Sequence, residues 1–145
     1  MKIAMAADHG GFELKNILRD YLTELGHTVT DLGTNSPESV DYPDYAQLCC
    51  KEVINKTVDF GILVCGSGVG ISIAANKIDG IRCGLCPSAE IAALVKQHNN
   101  ANVIALGGRF TAPDLAKEIV DAYMNAEFEG GRHQQRIDKI MSLEK

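Results

Sequence analysis

The chain has no excess of positive charge. Its 14 Lys and Arg face 19 Asp and Glu, a formal net charge of -5 over 145 residues. That balance argues against non-specific binding to nucleic acid or to an anionic membrane, both of which call for a basic field. An anionic ligand must then be held by a local cluster of cations. No apolar run is long enough to span a bilayer. No leader pattern opens the chain either, since Met1 to Asp8 carries one Lys and soon an acid and reads as a strand. Paired cysteines are missing too. Five cysteines, an odd count without a secretory segment, lead us to expect free thiols in a reducing cytoplasm. Linkers, low-complexity segments and repeats beyond a βα unit are absent. One domain over residues 1–145 is therefore expected, with the 46% apolar and 23% charged composition of an ordinary globular protein.

What is present is an alternation of apolar strands and amphipathic helices. Strands are predicted at 2–7, 27–32, 59–64, 80–86 and 102–106. From Phe12, apolar residues recur at Leu14, Ile17, Leu18, Tyr21, Leu22 and Leu25, which is helical spacing, and Gly26 stands where that helix would stop. Further helices are predicted at 43–56, 69–77, 88–97, 111–125 and 133–143. The fifth of the six has Thr111 as its N-cap, with Pro113 and Asp114 in its first turn. The strand at 59–64 is nearly all apolar, as expected for one covered on both faces. The fold class is α/β: a Rossmann-like, doubly wound parallel sheet of about five strands with an extra C-terminal helix. Cys83 and Cys86 form a C-x-x-C, but on a strand they point to opposite faces, and no second ligand pair accompanies them.

In open α/β sheets, ligands bind beyond the carboxyl ends of the strands. There the chain places Asp8-His9-Gly10-Gly11, Cys65-Gly66-Ser67-Gly68-Val69-Gly70 and Gly107-Gly108-Arg109. The second is G-x-G-x-G, neither the dinucleotide fingerprint nor a P-loop, whose Lys and Ser/Thr it lacks. Its glycines do offer free backbone N–H groups at a helix N-terminus, which stabilise an anion, whether a phosphate or a transition-state oxyanion. The same field favours a negative sulfur on Cys65 and makes it a usable base or nucleophile. Alternatively, Cys65 only packs under the turn.

Arg132 and Arg136 lie four apart near the start of the last helix, where cations oppose the helix dipole. With His133 they suit a phosphate, or else form a solvated basic patch. His98 and Asn99 precede the fifth strand, at the sheet edge opposite the glycine loop. His98 is thus either a helix C-cap or a group that reaches another subunit's site.

Taken together, Ala7 to Gly11, Asp41-Tyr42-Pro43, Cys65 to Lys77, His98-Asn99 and Glu129 to Arg136 resemble the ribose-5-phosphate isomerase B family, the RpiB/LacAB sugar-phosphate isomerases, along the full chain. The resemblance implies a metal-free, cofactor-free aldose–ketose isomerase acting on ribose 5-phosphate and ribulose 5-phosphate in the pentose phosphate pathway. It further implies a cytoplasmic homodimer or tetramer with sites shared between subunits. On this resemblance, Cys65 is the base, and Ser67 with the N–H groups around Gly66, Gly68 and Gly70 holds the enediolate oxygen. Asp8 handles hydroxyl protons and His98 assists ring opening. His9, Arg109, Arg132, His133 and Arg136 hold the phosphate, and Tyr42 and Asn99 line the sugar site. One branch of the family carries a glutamate base just beyond the loop, where this chain has Ile71. The galactose-6-phosphate branch lacks the His-Asn pair and the Gly-Gly-Arg-His-Gln-Gln-Arg segment, both present here. A hexose 6-phosphate isomerase, a non-catalytic sugar-phosphate module and a thiol redox protein built on Cys83 and Cys86 are the rival readings.

Overall fold

The computed structural model describes residues 1–145. In chain order the elements are β1 (Lys2–Ala7), α1 (Phe12–Glu24), β2 (Thr28–Asp31), α2 (Tyr42–Ile54), β3 (Phe60–Cys65), α3 (Val69–Asn76), β4 (Cys83–Leu85), α4 (Ala89–Gln97), β5 (Val103–Gly107), α5 (Pro113–Asn125) and α6 (Arg132–Met141). The strands form one sheet in the order β2-β1-β3-β5-β4. Every neighbouring pair is parallel. This is the expected doubly wound α/β architecture.

Side-chain alternation divides the core between the two faces of the sheet. From β1, Ile3, Met5 and Ala7 join Leu14, Leu18 and Leu22 of α1, Ala92 of α4 and Ile119, Val120 and Tyr123 of α5. Ala4 and Ala6 point the other way, toward Ala46, Cys49 and Val53 of α2 and Ile71 and Ala75 of α3. All residues of β3 and β5 are buried, because helices cover both faces of these strands. The sheet-edge strand β2 has only half-buried and exposed positions.

Most boundaries shift by one or two residues from the sequence prediction, and two of the differences have an identifiable cause. The fourth strand is shorter, because residues 80–82 are occupied by a side chain. The Asn102 amide accepts from the Arg82 N–H at 2.8 Å and donates to the Gly80 carbonyl at 2.9 Å. The N-cap of α5 is Ala112, not Thr111, and makes no side-chain cap. Pro113 is the cause: its ring holds the preceding residue extended, so the helix begins at the proline. As predicted, Cys83 packs on the α2–α3 side of the sheet and Cys86 on the other. Gly26, with a φ of 95°, closes α1 one residue past its C-cap in the left-handed conformation that glycine adopts freely.

Beyond β2, the side chain of Lys15 is fully buried. Its ammonium donates to Asp31 (2.7 Å), Asn16 (2.7 Å) and Asn35 (2.9 Å). Arg19 and the Gly33 N–H complete the shell of Asp31. The Gly33–Thr34 segment in turn exchanges two hydrogen bonds with Ala7, one residue before Asp8. An ion pair between the buried Lys15 and the half-buried Asp31 thus pins the loop that flanks the end of β1.

Candidate active site

From β1 the chain winds outward through β2, then returns to place β3 on the other side of β1. The crevice of the sheet therefore opens between the ends of β1 and β3. Close backbone approach holds the loops there together. A Cβ on Gly11 would sit 2.4 Å from the Val64 carbonyl oxygen, and one on Gly108 would sit 2.6 Å from the Gly10 oxygen. Only glycine permits these approaches. Gly108 and Arg109 donate their N–H groups to the Cys65 and Gly66 carbonyls at 2.8 and 3.0 Å. The ends of β1, β3 and β5 thus form one surface.

Cys65 ends β3 with its side chain almost buried, 4% exposed. Its sulfur accepts the Gly68 N–H at 3.2 Å. Gly68 has a φ of 80° and caps α3, so the thiol faces the positive end of that helix. Ser67 turns its hydroxyl to accept the Val69 N–H at 3.2 Å. The N–H groups of Gly66, Ser67, Gly70 and Ile71 donate to no acceptor in the chain. They make the loop that follows Cys65 rich in free donors, which suits an oxyanion. Burial pushes the other thiols up: Cys50 and Cys86 to about 12, and Cys49 and Cys83 well above the ordinary thiol value.

Asp8 is buried. Its carboxylate accepts the Gly10 N–H at 2.9 Å and its own N–H is held by Val64. His9 accepts the Val40 N–H on Nδ1 at 3.2 Å, which leaves Nε2 to carry the proton of the neutral ring. The Arg109 guanidinium lies against Gly66, its Nη1 3.0 Å from where a Cβ would be, and its Nη2 close to Gly10. The phenol ring of Tyr42 rests on Gly70, with its hydroxyl 2.9 Å from the corresponding position. One surface therefore carries Asp8, His9, Tyr42, Cys65, Ser67 and Arg109.

The other predicted residues lie elsewhere in the chain. His98 is the C-cap of α4, and its ring stacks on His133 with 4.2 Å between centroids and 11° between planes. Glu129 lies against both rings. Arg82 donates to the carbonyls of Asn99 (3.1 Å) and Asn100 (2.8 Å), fixing that turn. Arg132 and Arg136 are exposed on the first two turns of α6 beside this cluster. At about 3.3 Å per residue, β5 keeps the His98 group more than about 10 Å from Cys65. A cavity of about 830 Å³ is lined by residues that include Arg82, Asn99, Ile140 and Met141, and Cys65 is not among them. Sequence reasoning missed Arg82, the Val40 N–H and the Glu129 contact. Only the last has a local signal, the four-residue spacing from Glu129 to His133.

The family model described as Ribose/Galactose Isomerase matches residues 3–140. The chain belongs to this family. It is 51% identical over 143 residues to the ribose-5-phosphate isomerase B of Escherichia coli strain K12, covering 99% of this chain and 96% of that protein. The ribose-5-phosphate isomerase B of Clostridium thermocellum superposes with a TM-score of 0.97 at 47% identity, covering 99% of this chain and 97% of that one. The Mycoplasma genitalium family member, solved with bound ribulose-5-phosphate, superposes at 0.93 and 46% identity, covering 98% and 95% of the two chains.

Proposed function

We propose that this chain is an aldose–ketose isomerase that interconverts ribose 5-phosphate and ribulose 5-phosphate. The observation that carries the reading is Cys65, a thiol at the carboxyl end of β3 followed by a loop with free N–H groups, in a family of sugar-phosphate isomerases. The Cys65 thiolate takes the proton from C2 of the open-chain aldose, and the electron pair forms the C1=C2 bond of an enediolate. The developing negative charge on O1 is stabilised by Ser67 and the N–H groups of Gly66 to Gly70. Asp8 moves the hydroxyl proton from O2 to O1, and Cys65 returns its proton to C1. Atoms and oxidation state balance within the sugar, so the reaction consumes no cofactor.

The phosphate is assigned to His9 and Arg109 together with Arg132, His133 and Arg136, and ring opening to His98. Tyr42 and Asn99 line the sugar. Because β5 separates the two groups within one chain, we assign His98, Asn99, Arg132, His133 and Arg136 to the site of a second copy. A homodimer of this kind is supported by an exposed apolar row, Val69 and Ile73 on α3 with Leu85 on β4. Pairing of dimers into tetramers, a single domain over 1–145 and a cytoplasmic place in the pentose phosphate pathway belong to the same proposal. No helix is long and apolar enough to cross a membrane.

Purified protein assayed with ribose 5-phosphate, allose 6-phosphate and galactose 6-phosphate tests the reading. We expect the highest kcat/KM on ribose 5-phosphate. Preference for a hexose phosphate would move the substrate assignment, and no turnover on any of the three would remove the function.

A further inference from the structure

One cluster in the chain combines metal-ligating groups that the isomerase chemistry does not need as ligands. His98, Glu129 and His133 come from the end of α4, the segment before α6 and the first turn of α6. Their ligand atoms all lie within 4.8 Å of one another. The Glu129 Oε1 is 3.4 Å from His133 Nε2 and 3.7 Å from His98 Nε2. Two ligands at about 2.0–2.1 Å from a tetrahedral ion stand about 3.3–3.4 Å apart, so these separations are close to those of a bound ion. Two imidazoles and one carboxylate are a donor set that zinc favours, and they leave its fourth position open.

The backbone holds the three groups in place. The Glu129 N–H donates to the Gln97 carbonyl at 3.0 Å, next to His98, and the His133 N–H donates to Gly130 at 3.1 Å. No Lys or Arg competes for the carboxylate, whose ion-pair partners are the two imidazoles alone. His133 is the buried anchor at 10% side-chain exposure. His98 and Glu129, at 40% and 52%, have the freedom to adjust. They must do so, because stacked rings aim their lone pairs in parallel. An ion held by both nitrogens turns the rings out of the stack.

We propose that His98, Glu129 and His133 form an inhibitory site for a divalent transition metal, with zinc as the best-suited ion. Capture of the ion takes His98 and His133 away from the sugar phosphate, so bound metal stops turnover. Binding follows from the cluster alone. The inhibitory consequence rests on the isomerase function proposed above.

The full-length protein, stripped with chelator, is titrated with zinc by calorimetry and with cobalt by visible absorption. Turnover is followed in parallel. The expected result is one ion per chain at micromolar concentration and a matching loss of turnover, reversed by chelator. Glu129→Ala, a change at a partly exposed side chain, should weaken binding at least about tenfold, with the same variant's metal-free turnover as the baseline for inhibition. Cys65→Ala, inactive by design, should bind the ion unchanged. Absence of stoichiometric binding, equal affinity in Glu129→Ala, or loss of binding in Cys65→Ala would each overturn the site. Turnover of the metal-free protein reports separately on the isomerase function.

Discussion

At the scale of single residues, the proposed mechanism rests on Cys65. Its sulfur accepts one N–H, and four more N–H groups of the same loop and the first turn of α3 are unengaged. Cys65→Ala removes the proposed base and leaves the free N–H donors in place. We expect kcat to fall about 10²–10⁴-fold, with binding of a sugar-phosphate analogue held near wild type. Kinetics and calorimetry on the same preparation check this; loss of binding with unchanged kcat would contradict it. His9 makes a second case. Its Nδ1 is taken by the Val40 N–H, so in the proposed phosphate site the neutral ring is a donor from Nε2. Cys65, Asp8, His9 and Arg109 were legible in the sequence because the ends of parallel strands are where such folds gather polar groups. The hold of Val40 on His9 was not legible. It joins residues 31 apart through a backbone N–H, which no side-chain pattern encodes.

At the scale of elements, the Lys15–Asp31 pair behind the β1 loop contributes to the pH response of stability. Burial by itself would push the Asp31 carboxyl up. Hydrogen bonds from Lys15, the Gly33 N–H and Arg19 outweigh that and hold it below the ordinary value of 3.8. Burial pushes the Lys15 ammonium below its ordinary value, and Asp31 offsets this in part. For Asp31 the unfolded chain binds the proton more readily than the folded one. Its contribution is present above the unfolded value and is lost as pH falls through the folded one. Urea unfolding between pH 6 and the onset of acid unfolding should therefore lose stability more steeply below about pH 4 in wild type than in Asp31→Asn. Equal slopes would contradict this role. Lys15→Met should cost about 1–3 kcal/mol, because it strips a donor from three buried or half-buried oxygens at once. Equilibrium unfolding at neutral pH measures it, and an unchanged midpoint would contradict it. The helices and four of the five strands were readable from apolar spacing. The fourth strand and the start of α5 were misplaced because an Asn102 side chain and the Pro113 ring override local pattern.

At the scale of the whole molecule, the chain carries two groups of polar residues at opposite ends of β5, which we propose are the two halves of a shared site. Asp8, His9, Cys65, Ser67 and Arg109 surround the crevice. His98, Asn99, His133 and the two α6 arginines stand at the far edge. The sequence order of strands and helices already implied this separation, since a helix end and the next strand start lie opposite a strand end. What it could not supply was the stacking of His98 on His133, which unites two segments into one group. Our account holds that two chains complete each other. The direct measurement is ribose 5-phosphate turnover by mixed dimers purified from co-expressed Cys65→Ala and His98→Ala chains carrying different tags. Each variant alone should be nearly inactive. The purified mixed dimer pairs one intact Cys65 with one intact His98, so it should recover about half of the wild-type activity per dimer. Mixed dimers that form and stay as inactive as their parents would contradict the shared site.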